Sequence, residues 1–216
     1  MRLFRAKLEA KGYLHFYSSE YLKVTRVSDI LHNWALMFAV NDIRPTPRVE
    51  ADHVGDLRGV RFYCTPAAPL IAERRIYKRN PVPEDTGAGK MGLMEIEYYL
   101  PGSTFEFYLL SRDDSEPPEL IHFGKKRTPC ALLPAGSSAG WKVVEIPFRA
   151  HDSVPVRPTH LVNPIDYEDI SAVTYARKVP MKPSPLYYLA ATFSNVLVAD
   201  RVKVAVPNME EAPQWN

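Results

Sequence analysis

The residues best suited to chemistry in this sequence are two groups of closely spaced cations. The first is the run Gly124-Lys125-Lys126-Arg127, in which a glycine precedes three consecutive cations. Glycine permits close approach to the backbone, and the cations can bind phosphate, so the run predicts a phosphate-binding turn. A solvated turn without a ligand is the alternative.

The second group lies in the strand-like segment from Leu70 to Arg79. Its cations can neutralise phosphates while a tyrosine among them stacks on a base, which is the chemistry of single-stranded nucleic-acid binding. The residues concerned are Arg74, Arg75, Tyr77, Lys78 and Arg79. The alternative is an edge strand whose charges prevent aggregation, and the residues alone leave both interpretations open.

A third motif, Gly87-Ala88-Gly89-Lys90-Met91-Gly92, has the spacing of a dinucleotide-binding loop. Such a loop follows a buried strand and opens a helix, whereas here residues 78–86 are polar and contain prolines, and a strand-like segment follows at Leu93. Met91 also stands where a phosphate loop carries serine or threonine for magnesium. The glycines therefore indicate the tip of a hairpin, not a nucleotide site.

Histidines and cysteines give no pattern typical of a metal site, and we expect neither a metal nor a cofactor. Cys64 and Cys130 lie far apart in the chain, which favours reduced structural thiols in the cytosol. His32 could act as a general acid or base, because histidine titrates near neutral pH, but a hydrogen-bonded structural histidine is the simpler interpretation.

Composition indicates one soluble, cytoplasmic globular domain. The chain has 216 residues, 46% of them hydrophobic, and a net charge of +2. No run reaches the roughly 18 apolar residues of a membrane span, and the alternating N-terminus is unlike a signal peptide. Between residues 121 and 149, however, five cations accompany one acid. A nearly neutral protein with one basic face can bind nucleic acid locally.

The hydrophobic pattern predicts a sheet-rich α+β domain with one dominant helix over residues 28–40. Ser28 is its expected N-cap, and Asn41-Asp42 its expected end. Residues 2–10 alternate as a strand with one wet face, and residues 13–17 are its expected hairpin partner. Further strands are predicted over residues 60–64, 70–79, 93–100, 104–111, 141–149 and 201–206, whereas residues 170–179 and 186–199 fit a strand or a short helix.

Several segments, taken in order, resemble a known family. Residues 30–36, Ile-Leu-His-Asn-Trp-Ala-Leu, are similar to the leucine-histidine-asparagine helix of the subtype I-D CRISPR Cascade subunit of the Cas-five class, within the RAMP superfamily. The segments that follow in the expected order are Thr65-Pro66-Ala67, Pro101-Gly102-Ser103, Phe123-Gly124-Lys125-Lys126-Arg127 and Asn163-Pro164-Ile165-Asp166. The resemblance covers most of residues 1–200.

The resemblance implies a single RRM-like domain over residues 1–216, with a ferredoxin-like antiparallel sheet and a protruding β-hairpin thumb around residues 68–100. It also implies a non-catalytic subunit that serves antiviral defence by holding the 5′ handle of the CRISPR RNA and capping the backbone filament next to the large subunit. Target DNA near the protospacer-adjacent motif is a further expected partner, and a membrane is not.

The resemblance assigns the candidate residues to parts of that assembly. Arg74, Arg75, Tyr77, Lys78 and Arg79 would lie on the thumb, and Lys125, Lys126 and Arg127 would face the handle. His32 and Asn33 would lie near RNA or a neighbouring subunit.

Two other functions fit the same residues. One is a metal-independent endoribonuclease that cuts the CRISPR precursor RNA with His32, Lys125 and Tyr77. The other is a protein-only scaffold whose basic faces meet acidic partners. Cleavage of repeat RNA in EDTA would distinguish the first, and the absence of RNA from the purified protein would distinguish the second.

Overall fold

The protein was analysed as a computed structural model, which describes residues 2–21, 24–44, 53–57, 59–79, 94–113, 115–135, 141, 143–145, 173–175, 189–191, 196–199 and 202–205. Within these ranges the chain is mostly antiparallel sheet with one long helix, so the α+β prediction is confirmed at this level. The Gly87 to Gly92 motif and Asn163 to Asp166 lie outside the described residues, as does much of the predicted strand 141–149.

The largest sheet is built around the first strand, β1 (Arg2–Ala10). Its side chains alternate as predicted, because Phe4, Ala6 and Leu8 are fully buried whereas Arg5 is exposed. The sheet has the order β4-β8-β1-β10-β9, with β5 added beside β8 and β11 beside β1. These strands are β4 (Phe62–Cys64), β5 (Ala68–Ile71), β8 (Thr104–Ser111), β9 (Leu120–Phe123), β10 (Thr128–Pro134) and β11 (Val143–Glu145).

The second sheet has the order β2-β3-β7-β6 and contains the basic segment. Its strands are β2 (Tyr17–Tyr21), β3 (Val24–Val27), β6 (Arg74–Arg79) and β7 (Met94–Tyr99). The predicted strand 70–79 is therefore divided at Ala72-Glu73, and its two halves belong to different sheets. After this division β6 pairs with β7, and β7 in turn pairs with β3.

Residues 13–17 are not the hairpin partner of the first strand, as the alternation suggested. β1 has β8 on one side and β10 and β11 on the other, so both of its edges are occupied. Leu14 instead exchanges backbone hydrogen bonds with Tyr99 at 3.0 and 2.9 Å. This bridge holds the segment after β1 against the second sheet.

The helix α1 (Asn33–Val40) begins five residues later than predicted. Leu31 forms two backbone hydrogen bonds with Ala67, at 3.0 and 2.9 Å, and these keep the preceding residues extended. Ser28 therefore does not cap the helix; its hydroxyl donates to the carbonyl of Ile30 at 2.7 Å. The tertiary contact overrides the local helical pattern.

The end of α1 is where the sequence places it. The side-chain amide of Asn41 donates to the carbonyls of Met37 and Phe62, at 2.8 and 2.9 Å, and its oxygen accepts from the Phe62 N–H at 2.9 Å. These bonds fix the helix to β4. Leu36 and Met37 are fully buried against the large sheet, and each such burial stabilises the fold by about 1.5–3 kcal/mol.

A second helix, α2 (His53–Asp56), has four residues. Two further antiparallel pairs are formed by β12 (Val173–Tyr175) with β13 (Leu189–Ala191) and by β14 (Val196–Ala199) with β15 (Val202–Ala205). The ambiguous segments are thus strands where they are described. Neither described helix is long and apolar enough to cross a bilayer.

Candidate nucleic-acid interface

The predicted basic turn connects β9 and β10 and rests on the segment between β1 and β2. Gly124 has a φ of 79°, and a Cβ atom there would lie 2.7 Å from the carbonyl oxygen of His15. The N–H of Lys125 donates to this carbonyl at 3.0 Å. Glycine is therefore needed for close backbone approach, but the approaching backbone is the protein's own.

The three cations of the turn point to different surroundings. The ammonium group of Lys126 donates to the hydroxyl of Tyr98 at 3.1 Å and lies 5.2 Å from the centre of its ring. Arg127 lies 3.8 Å from the exposed carboxylate of Asp42, and Lys125 is exposed. The turn thus touches the second sheet through one cation–π contact, which contributes about 0.5–1 kcal/mol at an exposed site.

Three tyrosines surround this contact, and we call Tyr13, Tyr77 and Tyr98 the tyrosine cluster. Their ring centres are 5.4, 5.9 and 6.2 Å apart, in edge-to-face geometry. Tyr13 is 51% exposed, and its hydroxyl is 3.2 Å from that of Tyr77. This hydrogen bond, together with Arg75, lowers the pKa of Tyr77. The cluster offers aromatic surface beside a cation, as base stacking requires.

The register of β6 with β7 divides the basic segment between two faces. Arg75 is opposite Tyr98 and Tyr77 is opposite Ile96, so these two side chains lie on the same face as the tyrosine cluster. Arg74, Ile76 and Lys78 point to the other face. The predicted arm is therefore not a uniform basic surface. The side chain of Arg79 lies outside the described residues.

On the other face, each cation meets a carboxylate. Arg74 forms an ion pair with Asp29 and lies 4.9 Å from the ring centre of Tyr99. Lys78 lies 4.0 Å from the carboxylate of Glu95. Within the part of the chain that the structure describes, no carboxylate forms an ion pair with Arg75 or Lys126. The positive charge available to a ligand is therefore on the tyrosine face.

His15 lies beneath the tyrosine cluster. It is 6% exposed, its ring is 5.3 Å from that of Tyr98, and its Nδ1 is 3.0 Å from the carbonyl oxygen of Glu97. Burial and the charges of Lys125 and Lys126 lower the pKa of His15. The lowered pKa favours the neutral ring, which donates its Nδ1 proton to the carbonyl of Glu97.

His32 and Asn33 are not spare polar residues, as the sequence suggested. His32 is the N-cap of α1, where its Nδ1 accepts from the N–H of Trp34 at 3.1 Å, and it is 8% exposed. Asn33 is fully buried. Both polar side chains therefore serve the fold directly. Their contact with RNA stays a prediction, but their burial leaves them little surface for it.

Sequence reasoning missed Tyr13, His15 and Tyr98. Tyr98 could have been found by pairing the two predicted strands 70–79 and 93–100, but the register between them depends on the intervening loop. Tyr13 and His15 reach the site through the Leu14–Tyr99 bridge, a long-range contact that leaves no local signal. Among the residues that the structure describes, no three histidine, cysteine or acidic side chains are grouped to bind a metal.

No curated protein matches the chain significantly. One chain in a cryo-EM structure of the type III-B Cmr-β complex bound to cognate target RNA and AMPPnP is similar, with a TM-score of 0.39 and 9% identity. That match covers 62% of this chain and 64% of the other, so this chain spans less than two thirds of its length.

The assignment of this chain to a family rests on a match to a family model. The model for the type I-D CRISPR-associated protein Cas5/Csc1 matches residues 1–211, which is nearly the whole chain. This agrees with the helix, the Thr-Pro-Ala segment and the Gly-Lys-Lys-Arg turn noted in the sequence. The chain belongs to the Cas5/Csc1 family of type I-D CRISPR-associated proteins.

Proposed function

We propose that this chain is a non-catalytic RNA-binding subunit of a type I-D CRISPR Cascade effector and holds the 5′ handle of the CRISPR RNA. The observation that carries the proposal is the contact of Lys126 with Tyr98. It joins the basic turn to β7, where Tyr98 is opposite Arg75 of the basic strand β6. Two motifs that lie far apart in the sequence thereby form one cationic, aromatic surface. Membership of the Cas5/Csc1 family supports CRISPR RNA as the ligand.

The mechanism is electrostatic and geometric. Arg75, Lys125, Lys126 and Arg127 neutralise RNA phosphates, and a base stacks on the exposed rings of the tyrosine cluster. If each cation meets one phosphate of single-stranded RNA, the log–log salt slope of binding is about −3. One stacked base adds about 1–3 kcal/mol. The surface needs no metal and no general base for this task.

The wider assembly follows from the same proposal. The chain is one RRM-like domain with a ferredoxin-like core, and its β6–β7 pair is the base of the thumb. In this arrangement the subunit acts in the cytoplasm in antiviral defence. It caps the backbone filament, adjoins the large subunit and lies near target DNA beside the protospacer-adjacent motif.

The experiment that tests the proposal is charge reversal in the turn. The complex is purified with the triple variant Lys125→Glu, Lys126→Glu and Arg127→Glu, and the RNA that accompanies it is sized and quantified. We expect the guide RNA to be lost while the subunit stays folded, because repulsion replaces attraction at the handle. Wild-type RNA occupancy would refute the assignment.

A matched control reverses the same amount of charge elsewhere. Arg2, Arg61 and Arg112 lie together at the other end of β1 from the turn, where Arg2 is opposite Ser111 and the Arg112 N–H donates to the carbonyl of Arg61. Their triple glutamate variant should retain RNA. A loss of RNA in both variants would indicate a general effect of net charge and would contradict a localised site.

The absence of catalysis is tested separately. Repeat RNA is incubated with the wild-type protein in EDTA, and we expect no cleavage. His32, the sequence candidate for a general acid or base, uses its Nδ1 to cap α1. Cleavage that disappears in His32→Ala would overturn the non-catalytic assignment. Purified complex without RNA would instead favour the protein scaffold.

A further inference from the structure

A groove lies on the other side of the basic turn from the tyrosine cluster. It has a volume of about 340 Å³ and separates α1 from the end of β9. Its lining residues are Phe16, Ala35, Ala39, His122, Phe123, Gly124 and Lys125. The groove and the tyrosine cluster thus share one turn as their common wall.

Small side chains on α1 make room for the groove. Ala35 and Ala39 are four residues apart and are therefore neighbours on one face of the helix. Opposite them, the rings of Phe16 and Phe123 are stacked, with centres 5.1 Å apart and planes inclined by 29°. Phe123 is buried whereas Phe16 is partly exposed, so a flat apolar surface is accessible from the groove.

The polar groups of the groove are basic or neutral. Lys125 and His122 are exposed at its wall, and none of the described residues that line it is acidic. An apolar cleft with a few polar groups at its edge suits a flat ligand that also carries negative charge. An unpaired nucleobase attached to its phosphate has this combination of properties.

The turn itself indicates how RNA would reach the groove. Lys125 lines the groove, whereas the adjacent Lys126 contacts Tyr98 on the other side. An RNA strand that crosses the turn would therefore meet a cation and an aromatic surface on each side. We propose that the groove holds one unpaired base of the RNA, with its phosphate at Lys125, while a neighbouring base lies on the tyrosine cluster. This inference rests on the proposed function.

The test fills the groove without changing any charge. Ala39→Leu places a branched side chain inside it, and Ala39→Ser is the matched control that keeps the size of the side chain. Each variant is purified in the complex with its guide RNA and irradiated with ultraviolet light, and the crosslinked peptides are identified by mass spectrometry. In the wild type we expect one nucleotide to crosslink to a peptide containing Phe16 or His122 to Lys125.

The expected result is selective loss of this crosslink. Its yield should fall about fivefold or more in Ala39→Leu, because about fivefold is the smallest effect expected when one stacked base is lost. The yield should be unchanged in Ala39→Ser. Ala39→Val should give an intermediate yield, which provides a milder variant if leucine impairs folding. Total RNA in the complex should stay near the wild-type level, because the cations remain.

Two results would overturn the inference while leaving the proposed function intact. One is an unchanged groove crosslink in Ala39→Leu, with RNA present throughout. The other is loss of a neighbouring subunit from the Ala39→Leu complex with the RNA crosslinks unaltered, which would show that the groove binds protein. Wild-type complex without any RNA would instead refute the proposed function itself.

Discussion

The two faces of β6 carry the same kinds of residue but have different surroundings. On one face, Arg74 is paired with Asp29 and packed on Tyr99, and Lys78 lies near Glu95. On the other face, Arg75 adjoins the tyrosine cluster, which includes Tyr77, and Lys126 approaches from the turn. Of two arginines that are adjacent in the sequence, Arg74 thus makes contacts within the fold, whereas Arg75 lies on the face where we propose that RNA binds.

This difference shows that a run of cations must be divided by strand register before it is called a binding site. The two sequence interpretations of residues 70–79, a nucleic-acid arm and a charged edge strand, each describe one face. β6 is indeed the last strand in the order of its sheet, so charge on its outer face also opposes edge-to-edge pairing. Substitutions on the face of Arg74 should therefore mainly reduce stability, whereas substitutions on the face of Arg75 should mainly reduce RNA binding.

Replacing the exposed ring on the ligand-facing side should have the largest effect. Tyr77→Ala should weaken RNA binding by about 1–3 kcal/mol, because it removes a stacking surface. Tyr77→Phe should bind almost as well as the wild type, since the hydroxyl contacts Tyr13 and not the core. Fluorescence anisotropy with labelled repeat RNA measures both. Equal loss in the two variants would mean that the hydroxyl, not the ring, is what RNA recognises.

Substitution of Arg74 and of Arg75 should have different effects on the stability of the protein. Arg74→Ala should lower the free energy of unfolding by about 1–2 kcal/mol, because a partly buried ion pair and a contact with Tyr99 are lost together. Arg75→Ala should stay within ~0.5 kcal/mol of the wild type. Urea denaturation followed by circular dichroism gives both values. A larger loss of stability in Arg75→Ala than in Arg74→Ala would contradict the proposed difference between the two faces.

Local patterns predicted those parts of the fold whose partners lie nearby in the sequence. The alternation in β1, the end of α1 at Asn41 and the turn at Pro101-Gly102 are all present, and Gly102 has the positive φ that glycine favours. The start of α1 was wrong because Leu31 pairs with Ala67. The role of residues 13–17 was wrong because β1 already has β8, β10 and β11 as neighbours.

The candidate site was predictable in its charges but not in its arrangement. Both basic groups were identified from the sequence, and both contribute to the surface around Lys126 and Tyr98. The tyrosine cluster required knowledge of the β6–β7 register and of the Leu14–Tyr99 bridge, neither of which residue types reveal. His32 is a hydrogen-bonded structural histidine, the simpler of the two sequence interpretations, because its ring caps the backbone of α1.

Salt dependence offers a finer comparison of the faces. Arg75→Gln should reduce the magnitude of the log–log salt slope of RNA binding by about 0.7, the contribution of one phosphate of a single strand. Lys78→Gln should leave the slope unchanged if its charge is directed at Glu95. Binding titrations at several salt concentrations measure the slopes. A similar decrease in the salt slope for Lys78→Gln would indicate that RNA phosphates lie on both faces of β6 and would contradict the difference between them.

The smallest predicted effect concerns pH and His15. Because burial, Lys125 and Lys126 lower its pKa in the folded protein, the unfolded chain binds a proton more readily. Stability should therefore decrease as the pH falls through about 6.5, the ordinary histidine value, and this contribution should level off below the folded pKa. Denaturation between about pH 7.5 and 5.5 should show a weaker dependence in His15→Asn, whose amide can still donate to Glu97. Parallel curves of stability against pH for the wild type and His15→Asn would contradict the lowered pKa of His15.

RNA should change this titration if it binds to the ligand-facing side of β6. Phosphates at Lys125 and Lys126 would offset the positive charges that disfavour protonated His15, so the pKa of His15 should rise when RNA binds. By linkage, RNA binding should then take up protons between the two pKa values and tighten as the pH falls within that interval. Nuclear magnetic resonance of the His15 ring with and without repeat RNA measures the shift directly. If the pKa of His15 were unchanged in a complex that contains RNA, the phosphates would lie away from the turn. RNA would then not bind on the face of the tyrosine cluster.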